Sequence, residues 1–197
     1  MRAAGGSLFY RGRAPVVLAS ASPRRVALLR QVALEFTVVD PGPDRDWPEG
    51  AEPRHGVRAL ALDKAQRVAA KRASSVVIGA DTVVVLRGAR LGKPHDAAEA
   101  LAMLMRLQGR THEVWTGVAV LHRGERRTAA ECTKVQFARL DESTLRQYVR
   151  TGEPLGKAGA YAIQGRAAQF VRRMEGDYGN VVGLPLRRLR ELLSEFA

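Results

Sequence analysis

Apolar and polar positions alternate in blocks that switch period along the chain. Val16, Val17 and Leu18 form a short apolar run that reads as a buried strand. Val26, Leu29 and Ala33 then recur at helical spacing, with Ser22 as the N-cap and Pro23 at the first helical position. Glu35–Val39 predicts a second strand, followed by a Pro/Gly/Asp-rich loop from Asp40 to about Pro53, long enough to carry function. Residues 54–71 predict a helix whose apolar stripe runs Val57, Leu60, Ala61, Lys64, Ala65, Val68. Val76–Leu86 has strand character that breaks at Gly79–Asp81. Asp96 with Glu99 is a capping box opening a helix to Leu107. Thr111–His122 and Arg126–Leu140 read as long strands joined at Arg123–Gly124–Glu125, and Asp141 caps a helix ending near Gly152. A Gly-rich section leads to a last amphipathic helix with Leu186, Leu189, Leu193 and Phe196 on one face. Strands alternating with helices predict an α/β domain over residues 15–197, preceded by a flexible N-terminal extension over 1–14.

At 197 residues, 46% hydrophobic and 26% charged, the chain fits a soluble globular protein. No apolar run reaches the roughly 20 residues of a membrane span, and the basic start lacks the apolar stretch of a secretory signal. A single cysteine, Cys132, excludes an internal disulfide framework and fits a reducing, cytoplasmic setting, with core packing as its expected role. The net charge of +12 invites a nucleic-acid reading. The cations are overwhelmingly arginine and scattered along the chain, with no compact basic-aromatic block, so nucleic acid is not the expected partner. His55, His95, His112 and His122 have no metal-ligand spacing. No Walker motif, dinucleotide GxGxxG or GxSxG elbow is present.

The chemistry concentrates in a few places. In LASASPRR, Leu18–Arg25, a strand runs into a helix whose first turn holds Arg24 and Arg25. Cations are disfavoured at the positive end of a helix dipole unless an anion joins them. Backbone N–H groups, the hydroxyls of Ser20 and Ser22 and two guanidinium forks together describe a phosphate site. Lys64 falls on the inward stripe of its helix, where it must either snorkel out or meet an anion. Asp63 and Arg67 fall on the outer face as an i,i+4 pair. Asp81 in VVIGADTVVV sits inside an apolar run, where carboxylates are rare unless paired, metal-bound or acting as a base. It is expected at a strand end. Lys93 in RLGKP is presented by the extended conformation that Pro94 imposes.

These residues, in this order, resemble the Maf proteins, which are nucleoside triphosphate pyrophosphatases. The matching segments are LASASPRR, ALDKA, GADT, GKP, Glu153–Gly165 and GDYGNVVGLPL, covering Val16 to the C-terminal helix. The resemblance implies an elongated mixed, twisted sheet flanked by helices, with two lobes around a central cleft, as in inosine triphosphate pyrophosphatase-like folds. It implies hydrolysis of a nucleoside triphosphate to monophosphate and pyrophosphate with a divalent cation, Mg²⁺ or Mn²⁺, and a homodimer. Arg24, Thr82 and Gln164 match the branch acting on dTTP and UTP, and Gln164 has an amide that can donate to and accept from a pyrimidine edge. By the same resemblance Asp81 is the proton acceptor and a metal ligand, with Lys64 and Lys93 catalytic. Ser20, Ser22, Arg24 and Arg25 then bind phosphate. Where the family often has an Asp-Glu pair, the chain reads PGPDRDWPEG, leaving Asp44 and Asp46 as candidates for a second carboxylate. Ala59, beside Arg58, stands where an arginine is usual, and Gly156 replaces an aspartate before Lys157. The alternatives are a non-catalytic nucleotide- or RNA-binding module, or a cell-division regulator, since the family is associated with inhibition of septum formation.

Overall fold

The computed structural model describes residues 8–196, so residues 1–7 of the 1–14 extension lie outside the described part. Within the remainder of that stretch, Tyr10 is buried. The elements in chain order are β1 (Val16–Ala19), α1 (Pro23–Gln31), β2 (Thr37–Val39), α2 (Pro53–Ala69), β3 (Val76–Leu86) and β4 (Ala89–Leu91). They continue with α3 (Ala97–Leu107), β5 (Thr111–His122), β6 (Glu125–Phe137) and α4 (Glu142–Arg150). Two 3₁₀ turns, Ala158–Ala160 and Arg166–Phe170, precede β7 (Val171–Glu175), α5 (Tyr178–Val182) and α6 (Leu186–Ser194). One mixed sheet takes the order β2-β1-β3-β5-β6-β7, with β4 paired to β3. β1 is parallel to both β2 and β3, whereas β4 on β3 and β7 on β6 are antiparallel. The α/β expectation therefore holds.

Several local expectations change. β3 is one continuous strand through Gly79–Asp81, so Asp81 stands within it rather than at its end. Gly79 and Asp81 have poor strand propensity, but neighbouring strands and a helix above fix their backbone. Ser22 does occupy the α1 N-cap, yet its hydroxyl makes no capping bond. Its N–H donates to Ser20 Oγ at 3.2 Å. Ala33 lies beyond α1, exposed at φ 50°, and Leu28 joins Leu29 as the buried pair. The two caps hold: Asp96 Oδ1 accepts from Glu99 N–H at 2.8 Å, and Asp141 Oδ1 from Thr144 N–H at 2.8 Å.

The chain divides into two compact units. The first comprises the chain up to Asp81, Thr116–Glu131 and Gly183 onward. Its core has Val17, Ala19, Val77 and Ala119 on strands meeting Ala61, Ala65 and Val68 of α2. The contact is unusually close. A Cβ at Gly79 would lie 2.2 Å from the Ala61 carbonyl oxygen, and one at Gly117 would lie 2.1 Å from that of Val57. Side chains alternate along a strand, so Gly79 and Asp81 share a face. Ala61, Lys64 and Ala65 share a face of α2. With nothing on Gly79, the helix settles onto the strand and Lys64 comes down over Asp81.

The second unit, Thr82–Trp115 and Cys132–Val182, has an aromatic core. Phe137 meets His112, Tyr161 and Phe170 edge-on at centroid distances of 5.0, 4.9 and 6.1 Å. His112 Nε2 lies 2.9 Å from the Tyr161 hydroxyl. Burial pushes the His112 imidazole down to about 4. Cys132 is half-buried on β6 rather than fully in a core.

Two outcomes are expected of the fold. Gly79→Ala should lower stability by about 1–3 kcal/mol or more, because the clash is with backbone; the urea midpoint measures it. His112 is neutral when folded and takes up a proton near its ordinary value of 6.5 when unfolded. About 3 kcal/mol of stability is therefore present above pH 6.5 and lost as pH falls toward 4. His112→Gln should flatten that slope in denaturation curves taken across the interval.

Candidate active site

The site in the first unit is assembled where β1 gives way to α1. The parallel register ends with Ala19 opposite Gly79, so the chain leaves β1 beside the part of β3 that carries Asp81. Ser20 is buried, at 3% exposure. Its hydroxyl oxygen receives the Ser22 N–H at 3.2 Å and the Arg25 guanidinium NH1 at 3.2 Å. Arg25 Nε donates to the Gly183 carbonyl at 2.8 Å. The guanidinium thus bridges the first motif and the segment entering α6, with both contacts in one rigid fork. Burial lowers the Arg25 pKa from its ordinary value; Asp81 opposes that, Arg24 adds to it, and Asp44 opposes it. Two carboxylates and a second guanidinium therefore lie within electrostatic reach of Arg25.

Lys64 occupies the centre. Its Nζ lies 2.6 Å from Asp81 Oδ1 and 2.7 Å from Asp44 Oδ1. Its side chain is 8% exposed, which resolves the choice between snorkelling and meeting an anion in favour of the anion. A buried ammonium between two carboxylates is compensated for its lost hydration. Of the two candidate carboxylates in the 40–53 loop, the structure brings Asp44 to Lys64. The loop is tied down on either side of Asp44. Gly42 N–H donates to Asp40 Oδ1 at 2.8 Å, and Arg67 NH1 donates to the Pro43 carbonyl at 2.9 Å. The Trp47 ring packs so tightly on Gly56 that a Cβ there would come within 2.0 Å, and Trp47 Nε1 donates to Ala51 O at 3.0 Å. The expected Asp63–Arg67 pair is present at 2.7 Å. Arg58 donates to Thr128 Oγ1 from Nε at 3.1 Å and NH2 at 2.8 Å, which ties α2 to β6.

The second unit carries the other predicted residues. Thr82 is half-buried in β3, the residue after Asp81. Lys93 is exposed in the irregular segment after β4, and the adjacent Gly92 carbonyl accepts the Gly159 N–H at 2.9 Å. The GKP segment and the stretch leading to Gln164 are thus neighbours within that unit. Gln164 is exposed in a turn of its own. The structure brings together Ser20, Ser22, Arg25, Lys64 and Asp81, and adds Asp44. Residue patterning had no means of finding Gly183, since a backbone carbonyl leaves no mark in a sequence.

Chemically, the first unit holds an anion-attracting end of α1, a guanidinium fixed by two oxygens, and a carboxylate clamped against an ammonium. Asp44 and Asp81 each place one carboxylate oxygen on Lys64 Nζ, and their remaining oxygens are hard donors of the kind divalent cations use together with phosphate oxygens and water. Among the described residues no group of three or more His, Cys, Asp or Glu is placed to hold a metal ion. Among them also, no helix is long and apolar enough to cross a membrane.

A family model described as Maf, Maf-like protein, matches residues 15–196. A protein of Pelotomaculum thermopropionicum named dTTP/UTP pyrophosphatase is 53% identical over 183 residues, covering 92% of this chain and 96% of its own. Proteins of the same name from Symbiobacterium thermophilum and Dictyoglomus turgidum are 50% and 45% identical, covering 92% and 93% of this chain and 93% and 97% of theirs. Among solved structures, the Ham1 protein of Staphylococcus aureus matches with a TM-score of 0.52 at 14% identity, over 93% of this chain and all of that one, which shows a shared fold.

The two-point anchoring of Arg25 has a measurable consequence. Arg25→Lys keeps the charge but cannot reach Ser20 and Gly183 together, and is expected to cost about 1 kcal/mol in the urea midpoint.

Proposed function

Because the chain belongs to the Maf family, we propose that it hydrolyses dTTP and UTP, together with modified pyrimidine nucleotides, to the monophosphate and pyrophosphate. The observation that carries this reading is the cluster in which buried Lys64 meets the partly buried Asp81 and the exposed Asp44, beside the Ser20-anchored Arg25. The names of the relatives supply the substrate, and the cluster supplies a chemistry that fits it. Residues 15–197 act as one catalytic domain. The resulting role is removal of unwanted nucleotides from the pool, with septum inhibition a linked outcome.

In this reading Ser20, Ser22 and the α1 N-terminus receive phosphate oxygens, and Arg24 and Arg25 pair with the triphosphate. Asp81 accepts a proton from the attacking water, whose oxygen bonds to the α-phosphorus while the bond from that phosphorus to the α–β bridging oxygen breaks. Lys64 holds the Asp81 carboxylate in place. Lys93 and the arginines neutralise the charge that grows on the departing pyrophosphate, where cations count most. Arg24, Thr82 and Gln164 set the preference for a pyrimidine nucleotide, Gln164 through its amide. Asp81 and Asp44 would hold a divalent cation, Mg²⁺ or Mn²⁺, which neutralises phosphate charge and acidifies bound water. The family resemblance adds a homodimer and a cytoplasmic setting. Binding without turnover is disfavoured by the cluster itself: a carboxylate fixed against an ammonium at a phosphate site is equipment for proton transfer.

Asp81→Asn should lower kcat for dTTP by about a thousandfold while nucleotide affinity stays within about tenfold. Pyrophosphate release and equilibrium binding measure the two. Near-normal turnover by that variant would sink the assignment of Asp81.

A further inference from the structure

Gln164 is displayed by a tight turn. The Gly165 N–H donates to the Ala162 carbonyl at 3.0 Å, which makes Ile163 and Gln164 the central pair of a four-residue turn. Such a turn is only as well placed as its two ends, and here both ends are held by the same pair of side chains. Tyr148, buried on α4 at 4% exposure, accepts the Ala162 N–H at 3.3 Å. The same hydroxyl donates to Glu153 Oε1 at 2.9 Å. Glu153 Oε2 accepts the Arg166 N–H at 3.1 Å, on the far side of the turn. The carboxylate lies so close over Gly165 that a Cβ there would come within 2.3 Å of Oε1.

The pair is itself braced. Glu153 N–H donates to Thr151 Oγ1 at 3.2 Å, and that hydroxyl donates to the Tyr148 carbonyl at 2.6 Å. The Tyr148 ring packs edge-on against Phe170 at 5.0 Å. Burial alone would push the Glu153 carboxyl up. The Arg166 N–H, the Tyr148 hydroxyl, the Ala167 N–H and Lys157 outweigh it, and the carboxyl titrates below its ordinary value. The acceptor pair is therefore ionised at neutral pH and able to serve both ends of the turn.

We propose that Tyr148 and Glu153 are positioning residues that fix the Ala162–Gly165 turn and thereby set which pyrimidine Gln164 accepts. The proposal rests on the reading of Gln164 as the base contact. A glutamine amide can turn over and present its donor and acceptor in either order. Uracil and thymine offer a carbonyl acceptor where cytosine offers an amino donor. An amide on a loosely placed turn would serve both bases; one carried by a turn held at both ends discriminates, because the wrong base leaves its donor or acceptor mispaired against the amide.

The test compares Tyr148→Phe, Glu153→Gln and Gln164→Ala in steady-state hydrolysis of UTP and CTP. The first removes both hydroxyl bonds. The second leaves one acceptor oxygen where two N–H or O–H donors arrive. Each is expected to lower the UTP-over-CTP ratio of kcat/KM by about five- to tenfold, with the loss in KM for UTP exceeding that in kcat. Amide hydrogen exchange across residues 160–166 should quicken in both. Gln164→Ala should lower the ratio as well, and the Tyr148→Phe/Gln164→Ala double variant should fall no further than Gln164→Ala alone. A ratio lowered by Gln164→Ala but unmoved by Tyr148→Phe and Glu153→Gln overturns the clamp and leaves the base contact standing. An equal loss on both nucleotides, with the ratio preserved, overturns it too. A ratio unmoved by all three variants overturns the base contact and the clamp together.

Discussion

The first unit depends on how closely the backbone of α2 lies against the sheet. Helix and strand ordinarily stand apart by the bulk of their side chains. Here Gly79 and Gly117 offer none, and alanines at 61 and 65 keep the helix side of the contact small. The ionic cluster of that unit follows from this approach. Because the helix lies low, Lys64 reaches Asp81 without extending toward solvent. The ammonium exchanges its hydration for two carboxylates, an exchange a low-dielectric surrounding makes worthwhile only at close range. The apolar packing below and the ionic cluster above are one arrangement: the first supplies the distance that the second needs.

The cluster is also asymmetric in how its parts are held. Asp81 belongs to a strand with sheet neighbours, and Lys64 to a 17-residue helix, so both inherit their positions from regular structure. Asp44 comes from a loop, and its position is inherited from contacts made by others. Arg67 holds the carbonyl before it, and Trp47 pins the chain after it. The outer face of α2, which a helical wheel assigns to solvent, is therefore where the loop is fastened. Asp63 and Arg67 form a half-buried pair there, and Arg67 also holds the Pro43 carbonyl.

How much of this was legible in the sequence divides by physical range. Lys64 on an apolar stripe and Asp81 in an apolar run were readable, because helical and strand periodicity report burial directly. The caps at Asp96 and Asp141 were readable because the chemistry is local. Gly79 was misread as a break in the strand, since its propensity is a local quantity and the reason for it, Ala61, sits 18 positions away on another element. Ser22 was placed correctly but given the wrong bond, because Ser20 offers its N–H an acceptor that capping rules do not anticipate. The family pattern left the second carboxylate undecided between Asp44 and Asp46, and only the fastening of the loop separates them. Tyr148 carries no mark in the sequence, Glu153 stands there only as the start of a matching segment, and His112 only as a histidine without metal-ligand spacing. Each draws its meaning from contacts across space, with Tyr161 in the case of His112 and with the Gln164 turn in the case of the other two.

The bond from Arg25 to the Gly183 carbonyl spans 158 positions of chain. A polypeptide emerging from synthesis in order would present the first motif, the lysine and the aspartate long before the carbonyl that fixes the guanidinium exists. Until then Arg25 has the charge to attract a phosphate but lacks the anchor that aims it. Competence thus arrives late and with the far end of the chain, and a product broken off before Gly183 would keep most of the recognisable motifs while lacking a formed anion site.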